Sequence, residues 1–247
     1  MKIMKNKKTL LASGCSFTFE PWNWPTFVCN EMDYNLVNVG MASQGNGLIS
    51  KKVIYQVDKL LETHKPEDIV VGVMWSGIDR HDFYTEDSKR LSNINGWIEN
   101  PTNVVDDRKN WVITNFMWDI PQAKIWYENL HTYVGSMLMT MQNILMVQWY
   151  LERKGVKYFM STYLDIFYSN GADTLISHPE VKYLFDMVDF SKFLPVSGCH
   201  EWVKENYNEL GFNGHVGYEH RGIHPTEFGH KKFSEEVIVP YLKNNVL

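Results

Sequence analysis

Two stretches at opposite ends of the chain hold the residue types of nucleophilic catalysis. Near the start, Leu10-Leu11-Ala12-Ser13-Gly14-Cys15-Ser16-Phe17-Thr18 is an apolar run that breaks at a glycine and then offers a serine. A serine just past a strand end, beside a glycine, presents its hydroxyl on a tight corner. The backbone N–H groups of that corner can face a developing negative charge. Near the other end, Gly222-Ile223-His224-Pro225-Thr226-Glu227-Phe228-Gly229-His230 places an imidazole just ahead of a helical pattern. An imidazole that takes the serine proton makes a weak alcohol a nucleophile. Each stretch has an ordinary reading by itself, because Ser and Gly are the commonest residues of strand-end turns and a loop histidine needs no partner. The serine after the first strand and the His-Pro before the last helix become informative as a pair.

The elements that must position this pair follow from periodicity. Apolar runs predict strands near Leu10, at Asn35–Val39, at Ile69–Trp75 and at Val156–Tyr163. The third of these is almost wholly apolar, as a strand covered on both faces must be. Between them lie helical patterns: a short one over Trp24–Met32, with Pro25 suited to the first turn; one from about Leu48 to His64, with Val53, Val57, Leu60 and Leu61 at helical spacing; and a long one from about Trp126 to Lys154, which Gly155 stops. Shorter helices are expected near Pro179–Val188 and His200–Leu210. A last helix is expected from about Thr226, a capping residue, to Asn244, with Pro240 ending or kinking it. Strands that alternate with helices mean an α/β domain with a parallel sheet and right-handed crossovers. Sites in such sheets lie at the C-terminal strand ends, where Ser16, Gly40 and Trp75–Asp79 fall. The stretch from Asp79 to about Lys124 has no clear period and holds Phe83, Tyr84, Trp97, Trp111, Phe116 and Trp118; it reads as an aromatic-rich insertion with some helix, packed over the strand ends.

Composition narrows the function classes. The chain has 247 residues, 44% of them hydrophobic, and a formal net charge of −5. That charge argues against a nucleic-acid surface and gives no reason to invoke an anionic membrane, and no apolar run is long enough to span a bilayer. Cys15, Cys29 and Cys199 have no metal-type spacing, and an odd, sparse set fits a reducing compartment. The basic start followed by Leu10–Cys15 imitates a lipoprotein signal, but its apolar stretch is too short, so it reads as the first strand and the expected location is cytoplasmic. His200, His215, His220, His224 and His230 show no zinc spacing, and Gly222 and Pro225 break any helix that would align His220 with His224, so no metal is expected. The Met137, Met139, Met141 and Met146 run reads as core packing of the long helix.

In order along the chain, these blocks resemble the SGNH/GDSL hydrolase superfamily of serine esterases and deacylases. The likeness runs from Gly14 to His230. The resemblance implies a three-layer α/β/α sandwich with a flavodoxin-like parallel sheet of about five strands, one domain over residues 1–247. It puts Ser16, in Gly14-Cys15-Ser16-Phe17, in the nucleophile's place and makes its own N–H an oxyanion donor. Gly40, in Asn38-Val39-Gly40, takes the place of the glycine donor, and His224 that of the general base. It further implies acyl transfer to Ser16 and release by water, with no cofactor.

The sequence departs from the family pattern at two places. The third block reads Met74-Trp75-Ser76-Gly77-Ile78-Asp79-Arg80 and lacks the usual Asn, so Ser76 or Asn46 is the candidate replacement donor. One such donor is worth about 3–4 kcal/mol in the transition state. Three residues before His224 stands Arg221 in place of the family's Asp, so Glu219 or a backbone carbonyl is left to orient the ring. Trp75, Arg80 and Phe83 are the candidate substrate contacts. Arg80 can bind a substrate carboxylate or close a salt bridge, and Asp79-Arg80-His81-Asp82 can equally be a plain polar loop. The expected activity is carboxylic-ester hydrolysis on a small-molecule or carbohydrate ester, such as removal of acetyl groups from a carbohydrate. The alternative is a catalytically impaired member that binds a glycan or a protein partner.

Overall fold

A computed structural model describes residues 7–84, 86, 104, 111–114, 121–168, 172–212 and 224–246. Four parallel strands form its main sheet: β1 (Thr9–Ser13), β2 (Asn35–Asn38), β3 (Ile69–Trp75) and, after the insertion, the strand Lys157–Thr162. Their order is β2, β1, β3 and then Lys157–Thr162. The register pairs Leu10 with both Leu36 and Val70, and Gly72 with Phe159. All of β1 and β3 is buried, as their apolar sequences require at the centre of a parallel sheet, whereas β2 is a half-exposed edge. The expected fifth strand is reduced to a single parallel bridge between Met160 and Phe193 at the other edge.

Helices cover both faces. After the one-turn α1 (Ser16–Phe19) comes α2 (Trp24–Met32), which lays Trp24 on Gly72 of β3. A Cβ at Gly72 would sit 2.8 Å from the indole Cη2 and 2.6 Å from Phe159 Cζ, so the strand carries a glycine where two large rings meet it. On the other face α3 (Asn46–Leu61) buries Ile49, Val53, Val57 and Leu60. It packs beside a long helix, Tyr133–Lys154. That long helix is preceded by a separate α4 (Pro121–Asn129), so the single helix expected from Trp126 is two. Thr132 caps the second, its hydroxyl accepting from Gly135 N–H at 3.0 Å. We number the long helix α5; Gly155, with φ of +66°, ends it.

Within the insertion, β4 (His81–Tyr84) and β5 (Trp111–Thr114) form an antiparallel pair, with His81 opposite Thr114 and Tyr84 opposite Trp111. The helix expected inside the insertion, along with Trp97, Phe116 and Trp118, lies outside the described residues apart from the start of α4. After β6 (Lys157–Thr162) come α6 (Ala172–Ser177), α7 (Pro179–Phe185), α8 (Cys199–Phe212) and α9 (Glu227–Phe233). The last helix continues through wider π-type turns, Ser234–Ile238 and Leu242–Val246, on either side of Val239–Tyr241. Pro240 has no N–H to give and crowds the preceding turn, and a widened helix relieves both. Among the described residues no helix is long and apolar enough to cross a membrane.

Candidate active site

Ser16 opens α1 directly after β1. The turn is tight because Gly14 lets Thr18 and the Met74 carbonyl approach: a Cβ there would lie 2.8 Å from Met74 O and clash with Thr18 Oγ1. The helix is only one turn, closed by Thr18 N–H and Phe19 N–H donating to Cys15 O at 2.9 and 3.1 Å. At the far end of the chain Thr226 caps α9 through Gly229 N–H and donates its own N–H to Gly211 O. That pins the segment His224-Pro225-Thr226 against α8. The two ends meet. Ser16 Oγ lies 2.7 Å from His224 Nε2, and the Phe17 ring packs on the imidazole at 4.8 Å between centroids. Both residues are half-buried. With the proton on Nδ1, Nε2 accepts from the hydroxyl, which is the geometry of a serine and its general base.

The expected oxyanion donors are placed less simply. The N–H of Ser16, at the first position of α1, has no acceptor within that helix. Gly40 N–H donates to Asn38 Oδ1 at 2.9 Å. Asn46 is buried and spends its amide inside the protein: Oδ1 accepts from Ser76 N–H at 2.8 Å, and Nδ2 donates to Ser76 O and Thr140 Oγ1, each at 3.2 Å. Asn46 therefore ties the start of α3 to the end of β3. The fully buried Ser76 hydroxyl accepts from Arg80 at 2.7 Å. Glu219, like Arg221, lies outside the described residues.

The model of one family, described as "Family of unknown function (DUF6071)", matches residues 6–246. The chain belongs to that family. No curated protein sequence matches it significantly. Among solved structures, the DUF6071 chain is similar to TesA at a TM-score of 0.50 and 14% identity, covering 96% of this chain and 98% of that one. It is also similar to the psychrotrophic esterase EstA from Pseudoalteromonas sp. (TM-score 0.49, 9% identity, 96% and 100% covered) and to a GDSL-like lipase from Bacteroides thetaiotaomicron (0.48, 11%, 97% and 89%). The likeness to TesA shows the fold: a parallel sheet flanked by helices, as in SGNH hydrolases.

The proposed substrate contacts separate on inspection of the DUF6071 site. Trp75 is fully buried, with its indole N–H on Met160 Sδ at 3.4 Å, so it is a core residue and cannot touch a ligand. A strand buried on both faces leaves no outward side at its last position. Phe83 packs on His81 (4.4 Å) and Trp126 (5.8 Å) in the β4–β5 cluster. Arg80 stays near the turn that carries Ser16, its guanidinium 5.0 Å from the Tyr163 ring centroid. Burial opposes its charge, and the Cys15 sulfur, the Tyr163 hydroxyl and Asp79 outweigh that opposition, so its pKa lies above the usual value. Tyr163 in turn meets Phe17 edge-on at 5.2 Å, and burial pushes its phenol up to about 12.

Three features escaped the sequence reading. Gln44 is buried and its Nε2 donates to Gly14 O at 3.1 Å, joined there by Met41 N–H at 3.1 Å, so the loop after β2 is fastened to the turn that carries Ser16. Ser43 in that loop has φ of +61°, a left-handed backbone unusual outside glycine. A cavity of about 500 Å³ is lined by Gly77, Asp79, Tyr133, Tyr163, His200 and Glu201 among others. Small residues after a strand announce a loop but not what it is fastened to.

Proposed function

We propose that the protein is a serine hydrolase of carboxylic esters, with Ser16 as nucleophile and His224 as general base. The observation that carries this reading is the 2.7 Å contact between Ser16 Oγ and His224 Nε2. His224 takes the hydroxyl proton as Ser16 attacks the ester carbonyl, then returns it to the departing alcohol. Water, activated by the same imidazole, releases the acyl group from Ser16. Ser16's own N–H is one oxyanion donor. The loop after β2 supplies the second, from Gly40 N–H once it leaves Asn38. A carbohydrate ester is the substrate class favoured by the cavity that Tyr163 lines, whose two tyrosines, three carboxylates and one imidazole suit a polyhydroxyl ring. Removal of an acetyl group is the corresponding reaction.

A second reading has its own observation. The side chain of Asn46 and the N–H of Gly40 are both committed to protein partners, which favours an impaired site that binds a glycan or protein without turnover. Hydrolysis of a short-chain activated ester by wild type and Ser16→Ala separates the two. Turnover lost in the variant supports the hydrolase, and an equal background rate in both supports the binding protein.

A further inference from the structure

The nucleophile stands on a helix too short to hold itself. One turn cannot offset the entropy of fixing its backbone, and the carbonyls of such a turn need partners from elsewhere. In this chain two asparagine side chains supply them. Asn23 Nδ2 donates to Ser16 O at 2.6 Å, and Asn38 Nδ2 donates to Thr18 O at 2.6 Å. They come from two different elements that follow the turn: Asn23 from the N-cap position of α2, Asn38 from the last residue of β2. Asn23 is buried. Asn38 sits on the edge strand, yet its amide turns inward and is used at both ends, because Oδ1 also accepts from Gly40 N–H at 2.9 Å.

We propose that Asn23 and Asn38 are positioning residues for Ser16, clamping the carbonyls of its helical turn so that the hydroxyl stays on His224. The inference rests on the reading of Ser16 as nucleophile. Asn23 fixes the peptide plane that follows Ser16. Rotation of that plane swings Cα–Cβ and moves Oγ off the imidazole, and a displacement of about 1 Å at a reacting atom costs on the order of 10²-fold in rate. Asn38 fixes the far end of the turn and joins it to the loop after β2, so one side chain sets the nucleophile and the neighbouring N–H groups in register. A Cβ at Gly40 would lie 3.1 Å from Thr18, which shows how closely the two segments are pressed together.

The test is the rate at which a fluorophosphonate labels the folded protein, measured well below the melting temperature for wild type, Asn23→Asp, Asn38→Asp and the core truncation Val57→Ala. Aspartate keeps the shape but loses the donor, and at Asn38 it keeps the acceptor for Gly40. The expected result is labelling roughly 10- to 100-fold slower in both aspartate variants, with Val57→Ala labelling at the wild-type rate despite its lower melting temperature. Asn38→Asp, on a half-exposed edge, carries the test if Asn23→Asp does not fold. Wild-type labelling rates in the folded aspartate variants would overturn the positioning role while leaving Ser16 as nucleophile. Absence of labelling in wild type overturns the nucleophile reading itself, and the clamp falls with it.

Discussion

The hydroxyl of Ser16 lies 2.7 Å from Nε2 of His224, although 208 residues separate them. The fold makes this contact by placing the end of β1 beside the start of α9. Gly14 permits the tight corner, and Thr226 and Gly211 anchor the histidine segment. Neither residue is placed by its neighbours in sequence alone.

If His224 is the base, His224→Gln keeps the volume and removes the proton acceptor. Ester hydrolysis should fall by about 10²- to 10⁴-fold, with the melting temperature changed little because the ring is half-exposed. Steady-state kinetics on a short-chain activated ester checks this, and unchanged turnover would remove His224 from the mechanism.

Trp75 belongs to the core. Trp75→Phe should lower stability by about 1–3 kcal/mol in urea unfolding while the KM for a small ester stays within about twofold. A large KM change with unaltered stability would return Trp75 to the substrate pocket.

Gly72 lets Trp24 and Phe159 meet over β3. Gly72→Ala should destabilise the fold by about 1–3 kcal/mol through overpacking, since both contacts are with large buried rings. Thermal unfolding at fixed pH reads the loss directly, and a melting temperature at or above wild type contradicts the packing.

The Asp82 carboxylate accepts from Gly45 N–H and Leu48 N–H at 3.0 Å each, capping α3, and burial pushes its pKa up from the usual carboxylate range to about 6. A raised folded value means that the native state holds the proton more tightly than the unfolded chain. The group's favourable contribution is therefore full below about pH 4 and is lost as pH rises through 6. Relative to Asp82→Asn, wild type should lose about 2–3 kcal/mol between pH 4 and pH 6.5. Urea unfolding of both proteins across that window measures it, and parallel pH profiles would contradict the burial argument.

Much of this was legible from residue types. The almost wholly apolar Ile69–Trp75 predicted a strand covered on both faces and is one, fully buried. Gly155 marked the end of the long helix, and Thr226 the start of the last. The fold class followed from the alternation of strand and helix. The break at Leu130–Thr132 was hidden because it carries neither glycine nor proline, and the cap that restarts the helix is a single threonine. The sheet lost its fifth strand because Phe193 touches β6 through one bridge only. At the site, Ser16 and His224 stood out because few other residue types do that chemistry. The donors did not, because a backbone N–H is the same in every sequence and only the fold shows which is already spent. Asn46 and Gly40 looked available as residues and are committed as atoms.

In the proposed reaction Ser16 is a nucleophile activated by His224. Peptide mapping by mass spectrometry after fluorophosphonate treatment of wild type, Ser16→Ala and His224→Gln tests both roles. One phosphonyl adduct is expected on the peptide that contains Ser16 in wild type, none in Ser16→Ala, and labelling slowed by at least about 10²-fold in His224→Gln. An unlabelled wild type, or an adduct that persists in Ser16→Ala, would contradict that reaction.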